Sequence, residues 1–147
     1  MNTIVVGVDG SEGSLDALEF AVAEARRRGA DVKAVAAWHI PSAAYSSGFV
    51  PFPVQTSDYE EPARAMLEKS IASLNGERAD VTMTPVVRQG QAAGVLTDEA
   101  RGAELLVVGS RGLGGFRGLL LGSVSQQCAS HTPCPIAIVP PPKDDKS

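Results

Sequence analysis

The chain of 147 residues is 44% hydrophobic and 20% charged, which is enough for one domain with a buried core. Its 17 acidic residues outnumber 13 basic ones, and the formal net charge of −4 argues against a surface built to neutralise many phosphates, hence against nonspecific nucleic-acid binding. No apolar run is long enough to cross a bilayer: Leu119-Leu120-Leu121 sits between glycines, and Ile136 to Val139 between Pro135 and Pro140.

From the N-terminus, Met1-Asn2-Thr3 lacks a basic residue and the apolar run from Ile4 stops at Asp9, so no secretory signal is visible and a cytoplasmic location is expected. Thr3 to Val8 is short, β-branched and apolar, the pattern of a strand buried on both faces. After Asp9-Gly10, Ser11 or Ser14 caps a helix whose core positions are Leu15, Leu18, Val22 and Ala25. Arg26-Arg27-Arg28 in its last turn complement the helix dipole, and Gly29 ends it. Val32 to Trp38 is the second strand, parallel to the first through a βαβ connection, with Trp38 packing at the sheet end. Residues 41–57 hold three prolines among serines, Tyr45, Phe49 and Phe52, and read as a long irregular loop.

A second helix spans Glu60 to Asn75 on Ala63, Met66, Leu67, Ile71 and Leu74 and ends at Asn75-Gly76. Thr82 to Arg88 is a third strand, placed at a sheet edge because Pro85 removes a ladder donor. Ala92 to Arg101 is a helix closing at Gly102, Leu105 to Gly109 a buried strand, Ser123 to Ser130 the last helix and Ile136 to Val139 the last strand. The alternation describes a single doubly wound, Rossmann-like α/β domain over residues 1–142 with five strands and four helices, followed by a polar tail at 143–147.

In such sheets ligands bind beyond the carboxyl ends of strands, where the winding reverses. Two ends stand out. The first strand delivers Val8-Asp9-Gly10-Ser11, and the fourth delivers a segment with six glycines from Gly109 to Gly122, running into Ser123 and a helix N-terminus. Glycine lets backbone N–H groups approach a ligand, and the helix dipole favours an anion, most simply phosphate. A Rossmann fingerprint starting at Gly112 and Gly114 would need glycine where Arg117 stands, and would follow the first strand. A Walker A loop would need lysine between Gly122 and Ser123. His39 and His131 sit at element margins, so no base or nucleophile is evident. Cys128, His131 and Cys134 form C-x2-H-x2-C, three ligands where structural zinc takes four, and read as small buried thiols beside a boundary histidine. The pattern describes a binding site rather than a reaction centre.

Gly109-x2-Gly112-x9-Gly122-Ser123 resembles the G-x2-G-x9-G-[S/T] motif of the universal stress protein family, in its nucleotide-binding branch. The resemblance extends to Ile4 to Ser11 and to the closing Cys134 to Pro140 segment. It implies a parallel sheet of order 3-2-1-4-5 and an ATP site accompanied by Mg²⁺ or Mn²⁺. The implied contacts are Val8 and Asp9 after the first strand, Ala37 at the end of the second, and Val108, Gly109, Gly112, Gly122, Ser123 and Val124 around the phosphates. Arg111 and Arg117 add charge outside the fixed motif. It further implies a stress-response role, slow or absent hydrolysis, and a homodimer pairing Ile136 to Val139. An interaction module with optional nucleotide and an unidentified protein partner, a slow ATPase and a cyclic-AMP receptor are the competing readings.

Overall fold

The computed structural model describes residues 2–40, 55–74, 80–112 and 121–141. Its elements run β1 (Thr3–Gly7), α1 (Glu12–Arg28), β2 (Asp31–Trp38), α2 (Ser57–Ala72), β3 (Met83–Gln89), α3 (Ala92–Glu99), β4 (Leu105–Gly109), α4 (Ser123–His131) and β5 (Ile136–Val139). The five strands form one parallel sheet of order β3-β2-β1-β4-β5, as the resemblance implied. Of the expected loop, residues 41–54 lie outside the described residues, as do Asn75-Gly76, the segment 113–120 and the tail at 143–147.

Alternation within the strands divides the core between two sheet faces. Ile4, Val6, Ala34 and Val107 point toward Leu18 and Val22 of α1 and Leu67 and Ile71 of α2. Val5, Val35, Leu106 and Val108 point toward Val95 and Leu96 of α3 and Cys128 of α4. The result is a helix–sheet–helix sandwich in which the central strands are covered twice, which is why they read as unbroken apolar runs.

The ends of the elements differ from expectation in places, for identifiable reasons. Ser11, not Ser14, is the N-cap of α1: its Oγ accepts from the Ser14 N–H at 3.1 Å. The inward seam of α1 is Ser14, Ala17, Leu18, Ala21, Val22 and Ala25, whereas Leu15 is only half-buried. Small side chains at these spacings let the helix lie close to the sheet. Helix α2 begins at Ser57 rather than Glu60, because Gln55 and Thr56 carbonyls accept from Asp58, Tyr59 and Glu60 and open the helix ahead of Pro62. The expected loop is shorter at that end.

Both edges fall where the sequence put them. Val32 donates to the Thr82 carbonyl and Gly90 to the Trp38 carbonyl, so even-numbered residues of β3 face β2 and Pro85 faces the open side, where its missing N–H costs no ladder bond. The three arginines of α1 are engaged by carboxylates: Arg26 by Asp80 at 3.0 Å, Arg27 by Glu24, Arg28 by Glu24 and Glu104.

A second charged group ties β2 and β3 to α3. Arg88 bonds Asp98 at 2.7 Å and Glu99 at 2.9 Å, and Lys33 bonds Glu99 at 3.1 Å. The bond from Arg88 holds Asp98 below the usual carboxylate range. Partial burial pushes Glu99 the other way, but the bonds from Arg88 and Lys33 prevail and hold it low as well. A carboxylate depressed in the folded state stabilises above its unfolded pKa and loses that contribution as pH falls through the folded value. Arg88→Met should therefore reduce stability to urea at neutral pH more than at about pH 3, which lies below the unfolded pKa of both carboxyls, so that part of the contribution is already lost. Equal losses at the two pH values would contradict the pairing.

Candidate functional site

Where β4 ends, the backbone of α1 crosses it without side chains between them. A Cβ on Gly13 would lie 2.7 Å from the Arg111 carbonyl oxygen, and one on Gly109 would lie 2.8 Å from the Gly13 carbonyl oxygen. Both neighbours are backbone and cannot rotate away. The crossing brings the loop after β1 against the loop after β4: a Cβ on Gly112 would stand 2.5 Å from Asp9 Oδ2. Asp9 is oriented by its own turn, with Oδ1 accepting from the Ser11 N–H at 2.9 Å and the Ser11 hydroxyl at 2.5 Å. Gly10 makes that turn with φ of 87°, a left-handed conformation that glycine adopts without strain.

These loops frame a cleft at the carboxyl ends of β1, β2 and β4, the place where winding reverses between β1 and β4. Of the residues singled out in the sequence, Val8, Asp9, Ala37, Val108, Gly109, Gly112 and Val124 line it together. Gly122 and Ser123 do not line it among the described residues. Gly122 instead stands behind Gly112, its N–H donating to the Ser110 carbonyl at 2.6 Å. Arg117, Gly114, Gly115 and Gly118 lie outside the described residues. Trp38 is half-buried and not in the lining, and His39 and His131 are exposed elsewhere.

The lining also contains residues the sequence reading passed over as core or caps. Gly7, Val35, Ala92 and Leu96 form an apolar floor, and a Cβ on Gly7 would meet Leu96 Cδ1 at 2.7 Å. Ser11, Ser14 and Ser125 supply hydroxyls; Arg111, expected to add charge beside the motif, also lines the cleft. Ser125, 2% exposed, donates to the Ser110 carbonyl at 2.9 Å and to the Gly122 carbonyl at 3.0 Å, sharing one proton between them. Nothing in its spacing marks it; a serine on the inward face of a short helix is the only hint. Gly13 did leave a signal, since glycine inside a helix lowers its stability and usually has a packing reason.

Three sets of backbone groups at this end of the sheet lack partners among the described residues; one is the start of α3, where Gln91 caps with no side-chain hydrogen bond and the ladder begins with Val95 donating to Gln91. Helix α4 has Gly122 as N-cap with no side-chain hydrogen bond, and its internal ladder starts with Gln126 donating to Gly122, so the N–H groups of Ser123 and Val124 remain open. At the other side, Asp31 donates to Asn2 and Val8 to Val35, which puts odd-numbered residues of β2 toward β1. Ala37 continues that side after β1 has turned away, and its N–H and C=O find no acceptor or donor. The N-terminus of α1, by contrast, is closed by the Ser11 cap and carries Glu12 in its first turn.

The cysteine–histidine motif does not assemble. Cys128 is fully buried on the sheet, and that burial pushes its thiol up to about 11, while His131 is exposed. Among the described residues no group of three His, Cys, Asp or Glu side chains is placed to hold a metal, and no helix is long and apolar enough to cross a membrane.

Comparison with known proteins places the chain in a recognisable set. The model of the Universal stress protein family matches residues 1–140. A universal stress protein of Mycolicibacterium smegmatis is 38% identical over 140 residues, covering 94% of this chain and 45% of the relative. One from Mycobacterium tuberculosis is 35% identical over 141 residues, covering 96% of this chain and 44% of the relative. The chain thus spans about half the length of the curated relatives it matches. Among solved structures, a universal stress protein in complex with cAMP superposes with a TM-score of 0.68 at 28% identity, covering 94% of this chain and 95% of that one.

The glycine crossing makes a graded prediction. Gly13→Ala and Gly109→Ala force methyl groups into backbone and should each cost about 1–3 kcal/mol in urea unfolding, whereas Gly122→Ala should cost less, since its Cβ would meet described atoms no nearer than 3.4 Å. A cost at Gly122 equal to that at Gly13 would contradict the crossing. For the thiols, alkylation of folded protein near pH 8 should modify Cys134 and spare Cys128 until unfolding, read by peptide mass.

Proposed function

The chain belongs to the universal stress protein family, and from that premise we propose that it is a regulatory protein that binds ATP in this cleft with little or no hydrolysis. The observation that carries the reading is the presence of open backbone ends at the cleft, Ala37 and Val124 in its lining and the Ser123 amide next to Val124. An adjacent N–H and C=O match the ring nitrogen and amino group on the Watson–Crick edge of adenine, and reject guanine, whose corresponding edge reverses the pattern. Open amides at a helix N-terminus, in line with the dipole, suit phosphate. The self-capped, acidic start of α1 does not, and of the open starts of α3 and α4 only α4 follows the glycine-rich segment that ends at Gly122, so the phosphates run toward α4. Val8, Val35, Leu96 and Val108 provide apolar surface for the base, and Asp9, beside Gly112, a carboxylate for the ribose.

In this reading Val108, Gly109 and Gly112 leave room for the nucleotide backbone to approach, and Arg111 adds charge near the phosphates. Mg²⁺ or Mn²⁺ arrives on the triphosphate. Asp9 is the one carboxylate lining the cleft among the described residues, and this reading gives it to the ribose; with no histidine, lysine or cysteine beside it there, turnover is slow at most. The family supports a role in stress response and a cytoplasmic site of action. It also supports a homodimer through β5, with a further protein partner as the outlet of the response.

Cyclic AMP is a second reading, because the solved relative at 28% identity holds that ligand. One phosphate would leave part of the α4 end unused, so relative affinity separates the two. Calorimetric titration of nucleotide-stripped protein should give ATP binding at least about tenfold tighter than cyclic AMP or AMP. Gly122→Val should abolish it while the fold, judged by circular dichroism, persists. Tighter binding of cyclic AMP would transfer the site to the second reading; no binding of any of the three below about 1 mM, or unchanged ATP affinity in Gly122→Val, would overturn the placement.

A further inference from the structure

Ser110 is bonded in three directions. Its N–H donates to the Val139 carbonyl at 2.9 Å, and its carbonyl accepts from the Gly122 N–H at 2.6 Å and the Ser125 hydroxyl at 2.9 Å. The residue is 5% exposed, so water does not compete for these bonds. One residue therefore closes the last rung of the β4–β5 ladder and anchors the first turn of α4, directly before Arg111 and Gly112 in the cleft.

The strand at the far end of this link is built to pair. Leu106 donates to the Pro135 carbonyl and Ser110 to Val139, so odd-numbered residues of β5 face β4, while the N–H and C=O of Ile136 and Ile138 face outward. The opposite edge, β3, turns Pro85 outward; β5 has no charge, bulge or internal proline to block addition of a strand. Pro135 and Pro140 bracket it, which confines pairing to Ile136–Val139. A short uncharged strand fenced at both ends pairs best with an identical one running antiparallel across a two-fold axis.

We infer that Ser110 couples the cleft to this edge, so that a nucleotide seated against α4 strengthens the pairing of β5 with a second copy of the chain. The inference rests on the nucleotide and edge-pairing readings above and adds the link between them. A ligand held by the Ser123 and Val124 amides fixes the first turn of α4. That turn fixes the Ser110 carbonyl through Gly122 and Ser125, and the Ser110 N–H then holds Val139 and squares the end of β5. By linkage, dimerisation tightens nucleotide binding by the same factor. Ser125 is a positioning residue in this scheme.

The test measures the full chain by sedimentation velocity over a concentration series, with and without saturating Mg·ATP, while calorimetry reports ATP binding separately. ATP should lower the dimer Kd at least about fivefold in the wild type, and Ser125→Ala at saturating ATP should reduce that ratio below about twofold. Amide exchange on the wild type gives an independent readout: the outward amides of Ile136 and Ile138 should gain protection when ATP is added. A dimer Kd unaffected by bound ATP, unchanged exchange at those two amides, or a Ser125→Ala ratio equal to wild type overturns the coupling. Absence of ATP binding overturns the nucleotide reading, and absence of a dimer overturns the edge reading. Either takes the coupling with it, and the two instruments tell them apart.

Discussion

Gly13 and Gly109 meet backbone to backbone, and the carboxyl end of the sheet takes its shape from that contact. With a Cβ on either, the methyl would sit within 2.8 Å of a peptide atom, so α1 would have to lift away from β4. The seam of Ser14, Ala17, Ala21 and Ala25 keeps the rest of α1 near the sheet, and the crossing completes the approach. Asp9 then comes to lie over Gly112, and the loops after β1 and β4 share one cleft instead of flanking a ridge. Core packing and site geometry are thus set by the same small residues.

That cleft reconciles a net charge of −4 with the anionic ligand proposed for it. Phosphate recognition by a basic surface acts at long range and is screened by salt. Recognition by open amides at a helix start acts at contact and asks little of net charge. The helices that start at the cleft differ accordingly: α1 is closed by Ser11 and Glu12, α3 begins at Ala92 without a side-chain cap, and α4 has glycine at its cap, nothing acidic in its first turn and the glycine-rich segment before it. The proposed orientation of the nucleotide follows from this asymmetry more than from any single side chain.

The architecture was legible because each central strand is buried on both faces and each edge carries its own mark. Ile4 to Val6 and Leu105 to Val108 read as unbroken apolar runs, and Pro85 announced an edge. Seven of the nine named site residues share the cleft because strand ends and glycine spacing are both visible in one dimension. What the sequence concealed is contact between elements. Helical periodicity favoured Leu15 by its hydrophobicity, but close approach to the sheet selected Ala17 and Ala21 by their size. Ser125 and Ser110 look like ordinary loop and helix residues, and their hydrogen bonds join segments 15 positions apart. The position of Gly122 behind Gly112 also depends on how the chain returns to the sheet, which spacing alone does not encode.

In the proposed site, backbone groups at the end of β2 and the start of α4 grip the nucleotide, and an amide-resolved NMR titration with Mg·ATP reads those groups directly. The largest shifts should fall at the Ala37, Gly112, Ser123 and Val124 amides, saturating together with one affinity. Shifts that spare these four, or that gather on the arginines of α1, would contradict it.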